Sequence, residues 1–327
     1  MDGETLKKVL ASYLAALAAL IVLNFALPRF MPGSPLEAIY GQEALCTMSP
    51  QLVEELNRRF MLDQPLYRQF GAYVTALARG DLGYSYFYQV PVEKVVAGYF
   101  PWTALLCGTA LVITTVLGFI LGVGAGGRRG SRLDLLLVAG VVALGGVPDF
   151  FAGAVLLVVF GVYLGLVPLG GALSPYAGYS GLKLVADIAG HMAAPLAALV
   201  AVRMPSVFLL ARNNTVQAMT EGYILTARGK GCPQRTVIYR HAGKSVLLPV
   251  ITHTGLHFTS LVTGALFLEI IFNYPGMGSL LYKAILARDY PLIQGILLTI
   301  TVAVLAINLS TELLYFAVDK RVSLHAR

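Results

Sequence analysis

The stretch VVAGYFPWTALLCGTALVITTVLGFILGVGAGG, residues 95–127, carries no charged side chain. A hydrocarbon core about 30 Å thick is crossed by about 20 helical residues at 1.5 Å rise each, so this run can span a membrane. Its apolar residues are continuous. A strand of a membrane barrel would alternate apolar and polar over about ten residues, so a barrel is excluded. Further uncharged runs occupy 9–28, 150–182, 245–268 and 290–311, and a shorter one, 188–202, reaches about residue 211 if Arg203 is tolerated within the membrane. The run 150–182 ends in PLGGALSPYAGYSG, 168–181, which reads as a loop, so its helix is set earlier, from near Leu133. The sequence predicts an all-α polytopic membrane protein with six transmembrane helices, near 9–28, 99–126, 133–167, 187–211, 246–272 and 291–318.

Composition agrees with that reading. Of 327 residues, 57% are hydrophobic and 13% charged, with mean hydropathy +0.73, whereas soluble domains carry charge on about a quarter of their residues. The net charge of +7 lies between the apolar runs. With the N-terminus inside, fourteen Lys and Arg fall on the cytoplasmic side, from Lys7 and Lys8 through Arg128, Arg129 and Arg132 to Lys320, Arg321 and Arg327. The short outer loops hold three, Lys183, Lys283 and Arg288. Basic residues stay inside, so both termini are predicted cytoplasmic, and the charge needs no nucleic acid. The first run is long for a cleaved signal and is kept as a helix. Cys46, Cys107 and Cys232 fall outside, within and inside the membrane, too far apart to pair.

The chain divides into residues 1–28, a tail and the first helix; 29–98, an extracytoplasmic segment; and 99–327, a core of five helices with a cytoplasmic loop at 212–245. Within the outer segment, Ser49-Pro50 begins a helix on which Leu52, Leu56 and Phe60 share a face. A second helix follows Asp63-Gln64-Pro65 and ends near Gly80-Asp81. Tyr84, Tyr86, Phe87 and Tyr88 come next, open between an interfacial aromatic belt and a docking surface. Gly122-x-Gly124-x-x-Gly127 satisfies a dinucleotide-binding pattern but ends a membrane helix instead of joining a strand to a helix, so it reads as close helix packing.

The inner loop, EGYILTARGKGCPQRTVIYRHAGKSVLLPVIT at 221–252, is too polar to cross the membrane and is patterned as short helices broken at Gly231-Cys232-Pro233. Tyr223, Thr226, Ala227, Arg228, Lys230 and Gly231, then Arg240 and His241, then Leu248-Pro249-Val250-Ile251-Thr252 resemble the coupling loop of ABC importer permeases of the dipeptide, oligopeptide and nickel branch. The resemblance extends to Pro32-Gly33-Ser34-Pro35, Leu62-Asp63-Gln64-Pro65, Gly80-Asp81-Leu82-Gly83, Glu269-x-x-Phe272-x-x-Pro275-Gly276-x-Gly278 and Arg288-Asp289-Tyr290-Pro291. Leu209 stands where the branch usually has arginine, and the terminal D-P-R is Asp319-Lys320-Arg321. The resemblance implies a permease half that pairs with a second homologous permease, two cytoplasmic ATP-binding subunits and an extracytoplasmic solute-binding protein. ATP and Mg would sit on the partner subunits. This chain has no phosphate-cradling G-x-x-x-x-G-K-[ST], binds no cofactor of its own and is expected not to be an enzyme.

Polar groups at membrane depth are the candidates for a pathway. His253 and His257 share a helix face, about 10 and 16 Å from a helix start near Val246. They are open between metal or substrate contact and hydrogen bonding to neighbouring helices, and a histidine here also looks like nickel-transporting members of the branch. Asp149 follows Gly145-Gly146-Val147-Pro148, a predicted kink, about 24 Å along its helix. It is open between attracting a cationic solute and pairing with Arg203. Glu269 either lines an outer gate or caps the turn of Pro275, Gly276 and Gly278. A metalloprotease is excluded because Thr254 stands where H-E-x-x-H needs glutamate. A single-chain secondary transporter, driven by an ion gradient, is the alternative, although no inverted repeat is visible. Dipeptide, oligopeptide, nickel and metal chelate remain open as cargo.

Overall fold

The structure, a computed structural model, describes residues 3–26, 36, 40–59 and 63–318. Pro32-Gly33-Ser34-Pro35, Phe60, Leu62 and the charged end from Asp319 to Arg327 lie outside the described residues. Among the described residues there is helix and loop, and the one pairing of extended backbone is an isolated antiparallel bridge between Tyr84 and Pro91.

Four helices are single apolar spans: α1 (Gly3–Ala26), α5 (Val92–Gly126), α8 (Leu182–Ala218) and α13 (Tyr290–Val318). Two more spans are bent pairs. Arg132–Gly145 (α6) meets Asp149–Leu156 (α7, continued as π-helix to Tyr163) at 100°, and the helix ending in Gly243–Leu256 (α10) meets Phe258–Ile271 (α11) at 51°. Counting each pair once gives the predicted six.

The predicted third helix was one continuous span from 133 to 167 with a kink. It is instead a full break, because Pro148 is extended and has no N–H to continue the ladder behind Gly145-Gly146. The straight-helix depth of Asp149 therefore does not hold. The fifth span does not start near Val246 either: helix runs on from Gln234–Thr236 through π-helical Val237–Ala242 into α10. α5 and α8 begin at Val92 and Leu182, ahead of their charge-free runs, because Glu93, Lys94, Lys183 and Asp187 end an apolar run without ending a helix.

Among the described residues two compact units emerge, one of residues 102–275 and 306–318, the other of 3–101 and 276–305. In the larger, glycines of α5 face α8 at van der Waals limits. A Cβ on Gly122 would stand 2.6 Å from the Phe208 carbonyl oxygen, one on Gly126 2.6 Å from that of Arg212, and one on Gly118 2.8 Å from Val207. Gly124 and Gly127 likewise press on Tyr239 and Ile238. The dinucleotide-like pattern is thus a packing surface, as read. Around it Val123, Val207, Ala211, Ile238, Val246 and Val250 form a buried cluster. Leu209 packs on a second, Ala125, Val141 and Phe208. At one end of α6, Arg212 grips Asp134 with two hydrogen bonds of 2.6 and 2.8 Å, and Asp134 also accepts from the Gly130 N–H.

In the other unit, α2 (Gln42–Thr47), α3 (Pro50–Arg59) and α4 (Leu66–Ala78) form the outer segment. The Ser49 hydroxyl caps α3 through the Leu52 N–H, and Leu56 is buried as predicted while Leu52 is exposed. Asn24 and Gln294 exchange side-chain-to-backbone hydrogen bonds of 2.9 and 3.1 Å, tying α1 to α13. α12 (Met277–Leu286) precedes the turn to α13.

Candidate functional site

Within the larger unit, α5, α6, α8, α10 and α11 line an open cavity of about 510 Å³. Its polar lining comes from Thr114, Arg203, Ser206, Thr254, His257 and Ser260, set in a wall of Val, Leu, Gly and Pro. A bare guanidinium beside apolar helices is costly, and Asp149 offsets that cost. Arg203 Nη2 donates to Asp149 Oδ2, which chooses the pairing reading over a free carboxylate. The 100° break is what turns α7 back so that this contact forms, and Gly264 leaves the space: a Cβ there would lie 2.9 Å from both partners. Arg203 Nε and Asp149 Oδ1 are buried without a protein partner.

His257 sits at the break between α10 and α11 and lines the cavity. His253 stacks against it with ring centroids 4.1 Å apart, and its Nε2 is buried without a partner. Among the described residues no three of His, Cys, Asp and Glu converge as a metal site would require. Glu269 is fully buried and accepts a 2.6 Å hydrogen bond from the Thr103 hydroxyl, linking α11 to α5. Its backbone carbonyl accepts from the Tyr274 N–H, which closes the helix before Pro275. Gly276 is extended and precedes α12, with Gly278 in its first turn.

The inner loop forms α9 (Gly222–Gly229). Gly231, at φ +74°, makes the left-handed turn that a side chain would strain, and Pro233 precedes the next helical residues. Ile224 and Ala227 point into the chain, against Ala218, Val237 and Ala242. Tyr223, Leu225, Thr226 and Arg228 are exposed, as are Lys230 and Arg240, with His241 half-buried. Ala227 is therefore not on the outward face of the short helix. Tyr223 also shares a 3.1 Å hydrogen bond with Ser245.

In the smaller unit, Asp289 entered the sequence reading only as part of Arg288-Asp289-Tyr290-Pro291, and its role was not legible there. Fully buried, it accepts from the Ser85 hydroxyl at 2.5 Å, the Phe87 N–H and the Leu292 N–H, so it both caps α13 and anchors the tyrosine-rich stretch. Burial, and then the Asp289 charge, push the Tyr86 phenol up to about 12, and Tyr86 stays neutral at any physiological pH. Tyr84 and Phe87 are left exposed.

Residues 115–324 match the family described as binding-protein-dependent transport system inner membrane component. The chain belongs to that family. This permease is 32% identical over 315 residues to the di/tripeptide transport system permease protein of Pseudomonas aeruginosa, covering 92% of this chain and 93% of the relative. It is 30% identical over 318 residues to the dipeptide transport system permease protein of Escherichia coli K12, at 92% and 93% coverage. A third relative, the dipeptide transport system permease protein of Alkalihalophilus pseudofirmus, is 32% identical over 323 residues, at 94% and 95%. The permease is thus the membrane subunit of an ABC importer and not an enzyme, and ATP hydrolysis belongs to partner chains. It works with an ATPase and a solute-binding protein in the inner membrane. The ion-driven single-chain carrier is set aside.

Proposed function

We propose that this permease imports short peptides. The observation that carries the reading is the cavity of about 510 Å³, within the range of pockets that hold small ligands. Its hydroxyls, imidazole and guanidinium suit the amides and carboxylate of a di- or tripeptide, and relatives that match more than nine-tenths of this chain are named for that cargo. Arg203 and His257 would touch the passing peptide, with Asp149 holding Arg203 and His253 backing His257. Glu269 and the turn at Pro275, Gly276 and Gly278 would close the outer end. A second homologous permease would complete the pathway, and two ATP-binding subunits, holding ATP and Mg, would press on α9 from the cytoplasm, where both termini lie.

Proteoliposomes containing the permease, its partner permease, the ATP-binding subunits and the binding protein test this. Uptake of labelled di- and tripeptides that requires ATP is expected, with free nickel neither transported nor competing. ATP-dependent uptake of nickel, untouched by excess peptide, would overturn the peptide reading while leaving the importer assignment intact.

A further inference from the structure

A second pocket, of about 390 Å³, lies at the C-terminal end of α5, beside Arg128 in the turn that follows it. It is built from three stretches of the larger unit: the end of α5, the start of α6, and the helix that follows the α9 turn. Arg128 and Arg235 both line it, and both are exposed. Neither forms an ion pair among the described residues. Two guanidinium groups facing one pocket repel unless an anion lies between them. The rest of the lining is apolar or aromatic, including Ile120, Leu133, Leu137 and Tyr239. Ile120 is 45% exposed and Leu133 51% exposed, so the pocket opens onto uncovered apolar surface.

Height above the membrane fixes what can reach both surfaces. The charge-free run of α5 stops at Gly127, so Arg128 is the first charged residue beyond it, and Ile120, six residues before the helix end at Gly126, lies nearly two turns back into the apolar run. An occupant must present an anion at headgroup level and apolar substance directly beneath it. Free phosphate offers the first alone, and an acidic segment of a soluble subunit would have to leave the apolar wall uncovered. We infer that this pocket binds an anionic phospholipid, its phosphate bridged by Arg128 and Arg235 and one acyl chain laid over Ile120, Leu133 and Leu137. Basic pockets between membrane helices are suited to such headgroups, and planar guanidinium forks pair well with phosphate oxygens. The pocket joins α5, α6 and the helix leading out of α9, so a bound lipid would brace the part of the chain that follows the short inner helix.

The test uses the assembled importer purified in mild detergent. Native mass spectrometry after titration with phosphatidylglycerol or phosphatidylcholine reads lipid retention, with the Arg128→Gln/Arg235→Gln variant and Arg128→Lys/Arg235→Lys as partners. Retention of phosphatidylglycerol over phosphatidylcholine is expected, falling at least about tenfold in the glutamine variant and largely preserved in the lysine variant. Melting in phosphatidylcholine alone should be the same for all three, which separates lost lipid from lost fold. If the glutamine variant misfolds, Leu133→Asp, at a lining residue that is 51% exposed, supplies a second disruption, aimed at the acyl wall and not the headgroup. Equal retention of both lipids, unchanged retention in the glutamine variant, or displacement of the lipid by inorganic phosphate would overturn the proposal. Lipid bound by the permease alone but absent from the importer would overturn it in favour of a subunit contact.

Discussion

Arg203 and Asp149 are each the single charge in a long, otherwise uncharged stretch, 188–211 and 135–182, and each is tolerable only because of the other. Replacing Asp149 with Ala strands the guanidinium beside Gly264, and replacing Arg203 with Met strands the carboxylate. Breaking a fully buried pair costs about 3–5 kcal/mol. Because 26% of the Arg203 side chain remains exposed, each single change should cost less, about 1–3 kcal/mol. The double change should recover much of that loss, as a higher melting temperature in detergent than either single variant. A double variant as unstable as the sum of the two would show that the charges act separately. Both residues were visible in the sequence, but their pairing was not, since it depends on an angle at Pro148 that charge-free counting does not supply. The glycines of α5 were legible as packing residues, because a cluster of small residues in a membrane helix has few other uses. Ser206 and Thr254 were not. Each donates to a backbone carbonyl on its own helix, Ser206 to Arg203 and Thr254 to Val250, so nothing in the sequence marks them as cavity lining.

At the scale of elements, α9 divides its residues cleanly between the chain and the space outside it. Ile224 and Ala227 are spent on Ala218, Val237 and Ala242, so a partner can read only the other face. Leu225, 65% exposed, is the most exposed apolar side chain on offer there. If α9 carries the ATPase stroke, Leu225→Asp should abolish peptide-stimulated ATP hydrolysis while leaving the permease folded and its melting temperature unchanged. Ala227→Glu should act differently, burying an unpaired carboxylate at a cost of several kcal/mol and lowering the folded yield before coupling is tested. Coupled hydrolysis at the normal rate in Leu225→Asp would remove α9 from the stroke. The breaks of this loop were readable from Gly231 and Pro233, whose chemistry is local. The join to α10 was not: a π-helical stretch at Val237–Ala242 keeps the chain helical through Arg240 and His241, where polarity alone suggested a separate loop.

For the whole molecule, six spans were legible because hydrophobic thickness is a length, and length survives bends that shift where each helix begins. Orientation rests on a different quantity, the imbalance of fourteen inner against three short-loop outer basic residues. The native cysteines allow a direct check. Cys46 is exposed on α2, in the outer segment; Cys232 is half-buried at the turn after α9; and Cys107 is buried within α5. In spheroplasts, a membrane-impermeant maleimide should therefore modify Cys46 from outside. Cys232 should react only once the membrane is made leaky, and Cys107 only after denaturation. Mass spectrometry of the three cysteine peptides reads all three outcomes in one preparation. The opposite order, Cys232 modified in sealed spheroplasts and Cys46 protected, would invert the molecule. It would place α9 away from cytoplasmic ATP, where no ATPase could drive it, so the orientation and the coupling role of α9 stand or fall together.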